Sequence, residues 1–261
     1  MIGQGVHSFG TILGGKLSVI QPKSGYRFSI DSVLLARLVR AREGARILDL
    51  GAGCGVVALI IAQRLRPREI VALEIDSAMA ELIHRNASAN GYSNISTICG
   101  DLRKTRISGL EPGGFYVVVA NPPFRATRSG RHSPNPDRRL AREEVQGTLE
   151  DFVKAAARYA KFGGTVEMVM VASRGAELIS LLRSSALEPK RIRLIHPRLG
   201  MPASVMLVEA RRGGRVGVLL EPPLIIYSGR GRYTPEAKRL LGMDSTRARG
   251  GVRADPRSTQ A

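Results

Sequence analysis

The stretch Asn121-Pro122-Pro123-Phe124 combines residue types that together can grip a planar amine. It follows an apolar run, Phe115–Ala120, that reads as a buried strand. Two consecutive prolines there forbid both a ladder donor and a helix start. They hold the Asn121 side chain and the Pro122 carbonyl in a rigid, outward geometry. An amide oxygen and a backbone carbonyl can accept both hydrogens of an –NH2 group, and Phe124 can stack on the ring that carries it.

Three further strand ends carry residues suited to a second ligand. The first reads Asp49-Leu50-Gly51-Ala52-Gly53-Cys54-Gly55. Its glycines allow a sharp turn and a close approach of backbone to ligand, ahead of a helix N-terminus. A dinucleotide fingerprint would place Gly or Ala at position 56, where this chain has Val, and would need no acid before the first glycine. Asp49, two residues before Gly51, suits a cationic ammonium group instead of a pyrophosphate. Glu74, about twenty residues beyond the loop, is placed to accept hydrogen bonds from ribose hydroxyls. In Glu74-Ile75-Asp76-Ser77, Asp76 or Ser77 reads as the N-cap of the next helix. At Gly100-Asp101-Leu102 a carboxylate either meets the amino group of an adenine ring or caps its own loop.

These ends line up only if the strands are parallel, and the spacing of elements predicts that. A helix capped by Ser29 spans Ile30 to about Ala41, followed by a strand at Arg46–Leu50 and a helix at Val56–Leu65. Then come a strand at Ile70–Glu74, a helix from Ala78 to Asn90 closed by Gly91, and strands at Ile95–Cys99 and Phe115–Ala120. The helix Leu149–Lys161, closed by Gly163-Gly164, precedes a strand at Thr165–Val171, a helix at Ala176–Ser185 and strands at Arg191–Ile195 and Val205–Glu209. Lys16–Gln21 reads as a strand or hairpin arm before a turn at Ser24-Gly25. Such alternation means an α/β fold with a mostly parallel sheet, and ligands beyond the carboxyl ends of its strands. Residues 1–42 are expected as an N-terminal hairpin and helix packing on a core of 43–242, with 243–261 a basic tail too polar to pack.

Composition narrows the class. The 261 residues are 43% hydrophobic and 24% charged, an ordinary globular balance. No apolar run approaches the ~18 residues that span a bilayer. No secretory leader is visible, and Cys54 and Cys99 form neither a disulfide framework nor a metal pair, so a cytoplasmic, metal-free protein is expected. Forty Lys+Arg against 22 Asp+Glu give +18; the tail's four Arg and two Asp account for only two of these charges. The excess concentrates in Arg125–Arg142 and Lys190–Arg215, which favours a polyanionic partner such as nucleic acid. In the first segment Arg125, Arg128, Arg131 and Arg138 are candidate phosphate ligands at the mouth of the site. The second is expected to extend the track. None of the four His falls at one of these strand ends, which argues against a histidine base.

The ordered set Asp49–Gly55, Glu74, Asp101 and Asn121-Pro122-Pro123-Phe124 resembles the successive motifs of class I S-adenosylmethionine-dependent methyltransferases that act on planar amines. Gly25-Tyr26-Arg27-Phe28-Ser29-Ile30-Asp31-Ser32-Val33-Leu34-Leu35-Ala36 ahead of the first core strand is similar to the bacterial tRNA(Val) adenine-N6 methyltransferase group. Ala141-Arg142-Glu143 and the segment Leu224–Leu241 also resemble it, so the likeness spans Lys16 to Leu241. Phe124 stands where many relatives have Tyr, and Glu143 where His is expected. The resemblance implies a Rossmann-like, doubly wound sheet with a short N-terminal extension. It also implies S-adenosyl-L-methionine held by Asp49, Gly51, Ala52, Gly53, Gly55, Glu74, Ile75, Asp101, Leu102 and Asn121. Asn121, Pro122 and Phe124 would present the adenine amine of a tRNA, next to the anticodon. Two other classes remain open from the residues alone. One is a protein glutamine N-methyltransferase, since the Asn-Pro-Pro motif also fits a side-chain amide. The other is a non-catalytic nucleic-acid-binding protein on the same fold.

Overall fold

The computed structural model of the chain describes residues 7–24, 27–123, 147–229 and 231–245. Its strands are β1 (His7–Ile12), β2 (Leu17–Pro22), β3 (Arg46–Leu50), β4 (Glu69–Glu74), β5 (Ile95–Cys99) and β6 (Phe115–Ala120). The series continues with β7 (Ala160–Val171), β8 (Leu187–Arg198), β9 (Val205–Arg212), β10 (Leu219–Leu220), β11 (Leu224–Gly229) and β12 (Arg232–Tyr233). The helices are α1 (Ile30–Leu38), α2 (Val56–Leu65), α3 (Ser77–Ala89), α4 (Leu149–Tyr159), α5 (Gly175–Ser184) and α6 (Pro235–Leu241).

The run Val117-Val118-Val119-Ala120 shows why the sheet is covered on both faces. Val117 and Val119 join the core layer of Ile47, Leu59 and Ile60, beneath α1 and α2. Val118 and Ala120 join the opposite layer with Leu48, Leu50 and Phe152, beneath α4 and α5. A strand buried on both sides is apolar at every position, which is how central parallel strands differ from half-exposed ones.

The large sheet has the order β12-β11-β8-β9-β7-β6-β3-β4-β5, with β10 on β8. Pairings from β5 through β7 are parallel, as is β8 with β11. β9 runs antiparallel between β7 and β8. The mostly parallel, doubly wound sheet matches the fold expected. From β3 the chain builds outward through β4 and β5, then returns to add β6 and β7 on the other side. The switch in winding direction therefore falls between β3 and β6, and their carboxyl ends flank the crevice where such sheets bind ligands.

The N-terminal segment docks on this core. β1 and β2 form an antiparallel hairpin, and α3 holds it by side chains. Asn90 accepts from Ser18 N–H at 2.9 Å and donates to Ser18 O at 2.7 Å. Asn86 does the same for Ile20 at 2.7 and 2.9 Å. Two amides one helical turn apart thus pair with alternate residues of β2, in place of a third strand. Asn86 also donates to the Cys54 carbonyl at 2.8 Å, tying the hairpin to the glycine loop.

Several boundaries differ from the sequence expectation. The hairpin turn lies at residues 13–16, where Leu13, Gly14 and Gly15 take positive φ, and the chain bends again at Lys23-Ser24, beyond which Gly25 lies outside the described residues. α1 ends at Leu38, three residues short of Ala41. α4 ends at Tyr159 because Ala160 already pairs with Phe115, so Gly163-Gly164 fall inside β7 instead of closing a helix. β8 and β9 are longer than the apolar cores from which they were read. Met243–Ser245 form a 3-10 turn, and 246–261 lie outside the described residues. Among the described residues no helix is long and apolar enough to cross a membrane.

Candidate active site

The carboxyl ends of β6, β3, β4 and β5 stand side by side, so Asn121, the glycine loop, Glu74 and Asp101 share one edge. After β3 the chain turns on Gly51, whose N–H, with that of Ala52, donates to Leu73 O at 2.9 and 3.1 Å. Gly51, Gly53 and Gly55 have φ of +66°, +57° and +84°, where a Cβ is strained. A Cβ at Gly51 would also sit 2.9 Å from the Phe152 ring. Gly55 caps α2 without a side-chain hydrogen bond, and the first turn of α2 holds no acid. The helix therefore presents its positive end to this edge.

Two carboxylates border the loop in different states. Asp49 is 2% exposed, and its Oδ2 has no hydrogen-bond partner among the described residues. Burial first, then the charge of Glu74, push its pKa up to about 7, against a weaker pull from the Ala58 backbone N–H. Glu74 is also buried, but its Oε2 accepts from Gly53 N–H at 2.8 Å, and Oε1 accepts from Ile75 and Asp76 N–H at 2.9 and 3.0 Å. Burial still raises its pKa, with those three donors opposing. An uncompensated buried carboxyl is costly, so Asp49 is the place where an incoming cation or donor gains most. Asp76 caps α3 through Ala78 and Met79 N–H, and Ile75 is half-buried beside it.

Asp101 is occupied by its own loop. Arg103 reaches both carboxylate oxygens, with Nη2 at 2.7 Å from Oδ2, and Arg103 N–H donates to Oδ1 at 2.9 Å. That side chain first, with the added charge, holds the Asp101 carboxyl below its ordinary range. Leu102 is buried against the α4 layer.

Asn121 leaves β6 with its side chain fixed from the N-terminal segment. Its Nδ2 donates to Ser32 Oγ at 2.7 Å, while its Oδ1 is buried without a partner among the described residues. Ser32 itself is 1% exposed in the first turn of α1. Sequence reasoning assigned no role to Ser32 or Asn86. The available signal was a serine directly before the apolar run Val33–Ala36, and paired asparagines at helical spacing. Pro122 is buried and Pro123 half-buried. Phe124, Arg125, Arg128, Arg131, Arg138 and Glu143 lie outside the described residues, as do Gly25 and Tyr26.

The second basic segment does not extend a track at this edge. β9 runs antiparallel, so Arg211 lies opposite Thr165, at the amino end of β7. Lys190 Nζ donates to the Arg215 carbonyl at the same far edge. Arg191 is 7% exposed and faces three carboxylates, Glu167 at 3.8 Å, Glu209 at 3.1 Å and Glu221 at 3.5 Å. Arg193 pairs with Glu236 at 2.6 Å. Of the seven basic residues in that segment, Arg198 alone ends a strand at the carboxyl edge.

No group of three or more His, Cys, Asp or Glu among the described residues could hold a metal ion. The family model for the methyltransferase small domain matches residues 24–188. A Porphyromonas gingivalis protein named tRNA1(Val) (adenine(37)-N6)-methyltransferase is 28% identical over 240 residues, covering 86% of this chain and 91% of its own. A protein of the same name from Bacteroides fragilis is 28% identical over 197 residues, 74% of this chain and 81% of its own. A crystal structure from Agrobacterium tumefaciens, described as a predicted O-methyltransferase, aligns with a TM-score of 0.67 at 29% identity, covering 81% of this chain and 95% of that one.

Proposed function

The chain belongs to the methyltransferase small domain family, and from that premise we propose that it methylates the exocyclic N6 amine of an adenine in tRNA, beside the anticodon, using S-adenosyl-L-methionine. The observation that carries this reading is the unpartnered Asn121 Oδ1 at the strand end next to the glycine loop. Among the described residues this acceptor has nothing to accept, and it is backed by a proline carbonyl, which suits an amine better than a hydroxyl. The names of the relatives from Porphyromonas gingivalis and Bacteroides fragilis support tRNA as the carrier of that amine.

The residues present fit the cofactor. The orphaned, buried Asp49 carboxyl suits its ammonium group. Gly51, Ala52, Gly53 and Gly55, whose N–H groups are already paired, allow a close approach of the backbone, and the α2 N-terminus, with no acid in its first turn, faces its carboxylate end. Glu74, with Ile75 beside it, offers its remaining acceptor capacity to the ribose. Asp101 and Leu102 border the adenine end, and Asn121 closes the site next to the reacting groups. When bound, the cofactor supplies a methyl group already electrophilic on its sulfonium, so the chain need provide neither metal nor nucleophile.

What the chain provides is aim. The lone pair of an adenine amine is delocalised into the ring. Asn121 Oδ1 and the Pro122 carbonyl each accept one amine hydrogen, which favours a more tetrahedral nitrogen and directs its lone pair; Phe124 stacks on the ring. Positioning and oriented acceptors then carry most of the rate. The surplus proton of the methylated amine is strongly acidic and leaves to water, so no side-chain base is needed. Arg125, Arg128, Arg131 and Arg138, in the segment that begins directly after Phe124, hold the phosphates around the target. By the same reading, 1–42 serves as an extension of the catalytic domain 43–242, and 243–261 as a tail.

The test is nucleoside mass spectrometry after incubating an unmodified tRNA(Val) transcript with the protein and methyl-labelled cofactor. Labelled N6-methyladenosine is expected. Label on protein glutamine, or no adenine product, would overturn the reading.

A further inference from the structure

We propose that Ser32 is a positioning residue for methyl transfer, setting the orientation of the Asn121 amide from a segment 89 residues earlier in the chain. The inference rests on the role given to Asn121 above and adds a second residue to it.

An asparagine amide turns about a broad terminal torsion, and its two ends are almost equal in size. Only one orientation serves an amine. With Oδ1 forward, the side chain accepts an amine hydrogen. With Nδ2 forward, two NH2 groups face each other and neither accepts. The choice is made by what stands behind the amide. A buried N–H without an acceptor is costly, so Nδ2 settles where an acceptor is available. A serine hydroxyl can serve either end of an amide; here Ser32 Oγ accepts from Nδ2 at 2.7 Å, the arrangement that leaves Oδ1 without a partner among the described residues.

Ser32 is well placed for the task. Ser29 caps α1 through Asp31 N–H at 3.2 Å and donates to the Asp31 carboxylate at 3.1 Å, which fixes the first turn. The following residues Val33, Leu34, Leu35 and Ala36 are all buried, which holds the helix on the sheet. A hydroxyl at 1% exposure in that stretch has no solvent to satisfy it, and a packing role alone would be met by alanine. The N-terminal extension thus supplies part of the reaction centre and is more than a cover for the core.

The experiment is single-turnover methyl transfer from labelled cofactor to an unmodified tRNA(Val) transcript, with saturating protein. The variants are Ser32→Ala, Ser32→Cys, Ser32→Thr, Asn121→Ala and the double variant Ser32→Ala/Asn121→Ala. Ser32→Ala and Ser32→Cys should slow the step about ten- to a hundredfold, the order expected when a reacting group loses its aim. Cofactor and tRNA dissociation constants should stay as in the wild type, and Ser32→Thr, which keeps a hydroxyl, should recover most of the rate. In the Asn121→Ala background, Ser32→Ala should cost nothing further. If Ser32→Ala fails to fold, the near-isosteric Ser32→Cys, with its poor acceptor, carries the test. A wild-type rate for the Ala and Cys variants overturns the proposal, as does an equal loss with and without Asn121. A wild-type rate for Asn121→Ala instead overturns the role of Asn121, and this proposal with it.

Discussion

Gly53 donates its backbone N–H to the buried Glu74 carboxylate at 2.8 Å, so the glycine loop is latched to the neighbouring strand by the protein's own groups. Asp49, on the adjacent strand, has no such donor for its Oδ2 among the described residues. The two acids that border one site therefore play opposite parts. One completes the loop, and the other is a buried carboxyl held in readiness at a cost in stability.

That contrast predicts opposite effects of substitution at Asp49 on folding and binding. The folded pKa of Asp49, about 7, is above the ~3.9 of an unfolded aspartate. Folding then takes up a proton between these values, and the stability it contributes, full below pH ~4, is lost as pH rises through 7. Asp49→Asn removes the buried charge. It should raise the unfolding midpoint at pH 8, by ~2–4 °C for each kcal/mol relieved, with little change at pH 4. The same variant should lose cofactor affinity. Thermal unfolding at both pH values, beside calorimetry, checks this; a variant less stable than wild type at pH 8 contradicts it.

Cofactor binding itself should depend on pH through Asp49. Below pH 7 the carboxyl is protonated in the free protein, and meeting an ammonium requires release of that proton. Affinity should therefore rise with pH up to about 7 and level off above it. Titrations at pH 6 in buffers of different ionisation enthalpy should report proton release, which Asp49→Asn abolishes.

Glu74→Ala should weaken both properties together. Three backbone donors, Gly53, Ile75 and Asp76, lose their acceptor at once. Each buried donor left unpaired costs ~1–3 kcal/mol, unless water enters to satisfy it. Urea unfolding and cofactor titration should both shift, where Asp49→Asn moves them in opposite directions. Unchanged stability would mean the latch holds nothing.

The sheet and its motif-bearing edge were legible in the sequence because both follow from local rules. Val117-Val118-Val119 must be buried on two faces, and Pro122-Pro123 must end the strand. What escaped depends on long-range partners. Ser32 looks like an ordinary helix residue until Asn121 is placed against it. Asn86 and Asn90 look like a helix's polar face, yet they bind the backbone of β2. The segment from Lys190 looks like a basic surface when charge is summed along the chain. β8 instead turns Arg191 into the protein, where Glu167, Glu209 and Glu221 surround it.

Arg191 consequently belongs to the fold. Burial pushes Glu167 up to about 8, so at pH 7 it is largely protonated despite the guanidinium nearby. Glu167→Gln should be close to neutral for stability at pH 7, since the amide resembles the protonated acid. Arg191→Leu should cost ~3–5 kcal/mol, the loss expected when one partner of a buried ion cluster is removed. Urea unfolding curves decide it, and a mild Arg191→Leu would mean the carboxylates simply take up protons.

The last prediction separates charge that touches RNA from charge that does not. Neutralising Arg128, Arg131 and Arg138 to Gln should weaken tRNA binding for all sequences alike. It should also flatten the log-log salt dependence by ~0.7–0.9 for each phosphate that is no longer neutralised. Lys190, Arg211 and Arg215 lie toward the amino edge of the sheet, away from Asn121. Neutralising those three removes the same net charge, so a protein that merely attracts polyanions through its +18 would respond equally to both triples. A tRNA laid across the carboxyl edge responds to the first alone, and cofactor affinity should be unchanged in either. Filter-binding titrations at several salt concentrations supply the slopes. Equal slopes for both triples would remove the argument that Arg128, Arg131 and Arg138 guide the substrate to the site.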